Sequence, residues 1–173
     1  MTPLMGYLDT CIISGLARRD LPEQDLTALE HILAARKRGE VSLVTSHIAK
    51  VEIDRVPQSY RSAHEVFYNL LSDVPAVRFW RTDTGLMLMN IGGGRRQDPL
   101  FIRLRSLLPD AEDAMHVFQA AKNRVGFLIT TDHRTLIRFS SAIERLCDVI
   151  VLSPVAFEHY MAQAMSSKGD NGP

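Results

Sequence analysis

Short, nearly continuous apolar runs recur along the chain, each followed by a stretch with helical spacing, and this alternation limits the fold more than any other feature. The runs are Leu4-Met5-Gly6-Tyr7-Leu8, Val41-Ser42-Leu43-Val44, Ala76-Val77-Arg78-Phe79-Trp80, Phe127-Leu128-Ile129-Thr130-Thr131 and Val149-Ile150-Val151-Leu152. Strands buried on both faces have this form, whereas strands with one wet face alternate apolar and polar residues. Helices are predicted over residues 11–16, over 22–37 on the spacing of Leu26, Leu29, Ile32 and Leu33, and from Thr45 or Ser46 until Pro57. Further helices are predicted over 59–73, 86–89, 101–107, 110–124 and 134–145, with a last one from Pro154. Strands alternating with helices predict a three-layer α/β/α domain around a mainly parallel sheet.

Composition agrees with one folded domain. With 46% hydrophobic and 23% charged residues over 173 positions, a disordered or collagen-like chain is excluded. The domain is expected over residues 1–165, with 82–108 as added material containing the flexible run Gly92-Gly93-Gly94, and the polar residues 166–173 as a disordered tail. A formal net charge of zero argues against holding nucleic acid by bulk electrostatics. Within that balance 16 Arg stand against 4 Lys, and arginine favours bidentate contact with carboxylates and phosphates. No stretch approaches the ~20 apolar residues of a membrane span, so no membrane association is expected. The first residues reach Asp9 before an apolar signal core forms, and Cys11 and Cys147 are too few for a disulfide framework. A reducing, cytoplasmic setting is the expectation.

Ligands of parallel sheets bind beyond the carboxyl ends of the strands, and Asp9 and Asp132 both fall at such ends. Glu52 and Asp113 lie on helices that such a sheet would bring near them. Carboxylates gathered at ~4 Å repel one another by about 4 kcal/mol per pair at an effective dielectric of 20, so a cluster of them calls for a cation. Without thiolate or several imidazole ligands, Mg2+ or Mn2+ suits this donor set better than zinc or copper.

The stretches Tyr7-Leu8-Asp9-Thr10, Thr45-Ser46-His47-Ile48-Ala49-Lys50-Val51-Glu52, Glu112-Asp113-Ala114-Met115-His116-Val117-Phe118-Gln119-Ala120-Ala121 and Leu128-Ile129-Thr130-Thr131-Asp132 occur in an order and spacing, over about residues 4–157, that resemble the PIN domain family. That family is a metal-dependent nuclease fold that includes VapC-type toxins. The resemblance implies that Asp9, Glu52, Asp113 and Asp132 take its acidic metal-site and catalytic positions. Thr130 would take its hydroxyl position two residues before the last acid, and Thr10 would stand beside the site. It further implies an Mg2+- or Mn2+-dependent endoribonuclease acting on RNA, with an antitoxin protein as partner where the chain is a toxin, and pairing of two copies as a homodimer. The alternative is a noncatalytic PIN-like module that binds RNA or protein. The segment 82–108 has no counterpart among the family's motifs and leaves the substrate open.

Each acid also admits a simpler role. Asp9 and Asp132 suit helix N-caps, Glu52 a solvated helix face, and Asp113 the N-terminal end of a helix dipole. Asp110 and Glu112 share the turn of Asp113 and are alternative ligands. His116, three residues after Asp113, shares its helical face and is expected to pack near the site or bond a carboxylate rather than bind metal. Arg95, Arg96, Arg134 and Arg138 are candidate phosphate contacts, and His133 a weaker substrate contact. Cys11 reads as a small buried residue. A response-regulator-like reading, with Asp9 accepting phosphate, lacks a supporting lysine after a late strand.

Overall fold

The computed structural model describes residues 3–72 and 98–169. At its centre four strands, β1 (Leu4–Leu8), β2 (Val41–Val44), β3 (Phe127–Ile129) and β4 (Ile150–Leu152), pair in parallel in the order β2-β1-β3-β4. Gly6 lies opposite Leu43 on one side and Phe127 on the other, and Phe127 opposite Ile150. Helices α1 (Thr10–Arg18) and α2 (Glu23–Lys37) lead from β1 to β2. Between β2 and β3 the described residues form α3 (His47–Asp54), α4 (Gln58–Ser72), α5 (Pro99–Leu107) and α6 (Ala111–Lys122). A 3-10 turn (Ile137–Phe139) and α7 (Ser140–Cys147) precede β4, and α8 (Pro154–Gly169) follows it. The expected α/β class, with a wholly parallel sheet, is what these residues adopt.

Local chemistry starts and stops these elements where the side chains allow it. Asp9, Ser46, Asp98 and Asp110 each accept a backbone N–H as the N-cap of α1, α3, α5 and α6. After α2 the chain turns at Gly39, whose φ of 76° is the left-handed conformation that glycine adopts without steric penalty.

Successive residues of β1 point to opposite faces, and helices cover both. A Cβ on Gly6 would stand 2.9 Å from Ile129 Cδ1 and 3.6 Å from the Phe157 ring of α8, so the bare backbone lets that helix approach. Tyr7 points the other way, toward α6. Tyr7, Leu8, Ile12, Ile32, Leu43, Leu128, Ile129 and Phe157 are all almost wholly buried, each contributing about 1.5–3 kcal/mol of apolar transfer free energy.

Two expectations are corrected. The stretch 134–145 is not one helix: turns and the 3-10 segment run as far as Phe139, and α7 starts at Ser140. The cause is the Asp132 carboxylate, which captures the N–H groups of Arg134 and Thr135 and bends the chain away from a straight helical path. Residues 166–169 do not form a disordered tail, because α8 runs through them to Gly169. The expected strand over 76–80, the helical stretch at 86–89, and Arg95 and Arg96 with their glycine loop lie outside the described residues.

The order of the sheet locates its ligand crevice. The chain crosses from β1 to β2 on one side, and β3 and β4 are added on the other, so the order reverses between β1 and β3. In open parallel sheets the carboxyl ends beside such a reversal form the binding crevice. Asp9 leaves β1 there, and Thr130 leaves β3 there.

Candidate functional site

A knot of polar groups ties the two strand ends together. Asp9 is 5% exposed; its Oδ1 accepts the Thr10 N–H at 2.7 Å and its Oδ2 the Thr130 hydroxyl at 2.7 Å. With its one hydrogen given to Asp9, Thr130 Oγ1 accepts the Asp132 N–H at 3.0 Å and the Cys11 thiol at 3.1 Å. The wholly buried Thr130 thereby couples Asp9 to the backbone of Asp132. Cys11 also accepts the Thr131 N–H at 3.2 Å, and burial pushes its thiol pKa up, away from a reactive thiolate. It is a structural residue.

A second buried chain meets Asp9 from α3 and α6. His116, 1% exposed, has Nδ1 2.7 Å from the Tyr7 hydroxyl, which lies 2.5 Å from Ser46 Oγ. Its Nε2 is 3.1 Å from Glu52 Oε1, 3.4 Å from Thr10 Oγ1 and 3.6 Å from Asp9 Oδ1. A carboxylate offers no proton, so Nε2 carries the hydrogen and donates it to Glu52. Burial works against a charged ring, but Tyr7, Glu52 and Asp9 outweigh it and hold the His116 pKa well above the usual value. Burial also opposes the charge of Glu52; His116, the Thr10 hydroxyl and Arg55 more than offset it, and the carboxyl sits below the ordinary range. The expectation that His116 bonds a carboxylate is met.

Asp113 occupies the first turn of α6 and behaves differently. Its pKa is raised to about 6, first by burial and then by the charges of Asp9, Asp110 and Asp132, against the opposing effect of the Thr135 hydroxyl. Asp132 goes the other way: burial raises it, but the Thr135 hydroxyl and the N–H groups of Thr135 and Arg134 dominate and lower its pKa. Asp9 and Glu52 share His116, Asp9 and Asp132 are linked through Thr130, and Asp113 is near enough to Asp9 and Asp132 for their charges to raise its pKa.

The neighbouring acids are engaged elsewhere. Asp110 caps α6 by accepting the Glu112 N–H at 2.6 Å, and Glu112 pairs with Arg55, the residue that follows α3. Arg134 and His133 are exposed beside Asp132, while the exposed Arg138 guanidinium lies over the Phe139 ring at 5.8 Å. No helix among the described residues is long and apolar enough to cross a membrane.

Among the described residues, no group of three or more His, Cys, Asp or Glu side chains is arranged as it stands to hold a metal ion. Asp9, Glu52 and Asp132 are each held by neighbouring donors, and Asp113 meets the Thr135 hydroxyl. The donor chemistry nevertheless fits a hard cation: the carboxylates and hydroxyls near the ends of β1 and β3 are oxygen donors, and burial, followed by the charges of Asp9, Asp110 and Asp132, raises the Asp113 pKa to about 6. No family model matches the chain, and neither a curated protein nor a solved structure matches it.

Three participants carry no role in the sequence reading: Tyr7, Ser46 beyond its capping, and Thr135. Tyr7 had a signal, since it stands two residues before Asp9 in an otherwise apolar strand and therefore on the same face. Thr135 follows Asp132 by three, the spacing at which an acid and a hydroxyl close a turn. Ser46 carries no comparable mark.

Proposed function

We propose that this chain is a divalent-cation-dependent endoribonuclease of the PIN type, hydrolysing RNA phosphodiester bonds in the crevice beyond β1 and β3. One arrangement carries the reading: Asp9 accepts the Thr130 hydroxyl at 2.7 Å and lies 3.6 Å from His116 Nε2, which donates to Glu52 at 3.1 Å, while Thr130 Oγ1 accepts the Asp132 N–H, so acids from separate segments are drawn toward the ends of β1 and β3. Asp9, Glu52, Asp113 and Asp132 would hold the ion, and oxygen donors suit Mg2+ or Mn2+. When bound, such an ion supplies an activated water and offsets charge on the phosphate oxygens. The chain's own part is to orient and to bind. Thr130 fixes Asp9 against the β3 end, and the exposed Arg134 stands beside Asp132 to meet a phosphate.

The test is incubation of mixed-sequence RNA with the protein and Mn2+. Cleavage is expected, stopped by excess EDTA and restored by added Mn2+. Cleavage indifferent to EDTA would remove the cation from the reaction, and RNA binding without cleavage would identify a noncatalytic module. As a toxin, the protein would arrest growth on expression unless an antitoxin protein bound over the acids.

A further inference from the structure

The buried imidazole of His116 is a donor with no evident task in a site built of acids. It draws residues from two other elements into one hydrogen-bonded line: Tyr7 in β1, and Ser46 at the start of α3 with Glu52 further along it. Ser46 Oγ also accepts the Ile48 N–H at 3.2 Å, so the far end of the line is anchored in the cap of the helix that carries Glu52. Tyr7 and His116 also meet edge to face, with ring centroids 5.6 Å apart, and both are almost wholly buried. Neither ring has room to swing. The Nε2–H therefore points at Glu52 Oε1 whatever the charge on the ring, because a carboxylate only accepts.

We infer that His116 is a positioning residue for the cation site: held by Tyr7, its Nε2–H fixes Glu52 of α3 against Asp9 of the β1 end, so that the two acids are set before a cation arrives. This rests on the cation-dependent reading above. Without the imidazole, Glu52 would keep a half-buried charge with its buried donor gone, and Tyr7 would lose its partner at Nδ1. Outer hydrogen-bond partners of this kind affect metal affinity by roughly 10–100-fold in other sites, although they touch no metal.

The experiment is calorimetric titration of the whole chain with Mn2+ alone, without RNA, on the wild type and on His116→Leu, His116→Gln and Tyr7→Phe, with thermal unfolding in EDTA to establish that each is folded. Loss of affinity of roughly 10–100-fold is expected for His116→Leu. Substantial recovery is expected for His116→Gln, whose amide N–H keeps a donor near the Nε2 position; a merely space-filling role would not separate these two. Tyr7→Phe should weaken binding by a smaller factor, and it reads the same line if His116→Leu fails to fold. Folded His116→Leu or Tyr7→Phe protein that takes up Mn2+ as tightly as the wild type overturns the positioning role alone. A wild type that takes up no Mn2+ overturns the cation reading, and this role with it.

Discussion

Asp9→Asn is expected to reduce Mn2+-dependent RNA cleavage by on the order of 100-fold or more, beyond the usual loss from an outer-shell partner, while leaving the protein folded. The fold should survive because asparagine caps a helix about as well as aspartate, and its carbonyl oxygen can keep the Thr10 N–H that Asp9 Oδ1 now accepts. The other oxygen is replaced by an amide donor facing Thr130, whose hydroxyl already accepts from Asp132 and Cys11. That conflict costs about 1 kcal/mol of stability but does not unfold a chain of this size. Cleavage rates and thermal unfolding on the same preparation separate the two effects. Near-normal activity in a folded Asp9→Asn protein would reduce Asp9 to a helix cap.

Asp113→Asn is expected to do two opposite things: abolish the response to Mn2+ and raise the stability of the metal-free protein at neutral pH. The sign follows from its pKa of about 6 in the fold, above the ordinary carboxyl value of 3.8. Between those values the folded state retains a proton that the unfolded chain releases, so stability falls as pH rises through the window and the full penalty applies above pH ~6. A two-unit difference corresponds to about 3 kcal/mol, reduced by solvent screening to about 1–2 kcal/mol. Losing the favourable charge at the start of α6 offsets only about 0.3–1 kcal/mol of that gain. Thermal unfolding in EDTA should therefore show Asp113→Asn melting a few degrees above the wild type near pH 7.5 and close to it near pH 4. A lower melting temperature at pH 7.5 would mean that Asp113 serves the helix dipole and carries no strain from its neighbours.

The parts of this structure legible in the sequence are those that depend on local pattern. β1, β2, β3 and β4 were readable because strands covered on both faces must be apolar throughout, and the acids after β1 and β3 could be placed because parallel strands end on the same side of a sheet. What escaped depends on contacts between distant residues. Tyr7 meets His116 across 109 positions and Ser46 across 39, and no periodicity in one segment reports that meeting. The turn after Asp132 was hidden because a side chain competing for backbone N–H groups overrides apolar spacing that otherwise suits a helix. Residues 166–169 read as a tail from their polar composition, yet the helix that buries Phe157 and Met161 meets no proline before Gly169 and continues through them. Of the candidate site, Asp9, Glu52, Thr130 and Asp132 are joined through shared hydrogen-bond partners, and Asp113 is joined to them by charge.

The most direct measurement is an anomalous-difference map from crystals of the full chain equilibrated with Mn2+. The expected result is a manganese peak in the crevice beyond β1 and β3, with carboxylate oxygens of Asp9, Glu52, Asp113 and Asp132 facing it. Crystals in which manganese binds only elsewhere, or in which none of those carboxylates lies within bonding distance of it at saturating Mn2+, would contradict it.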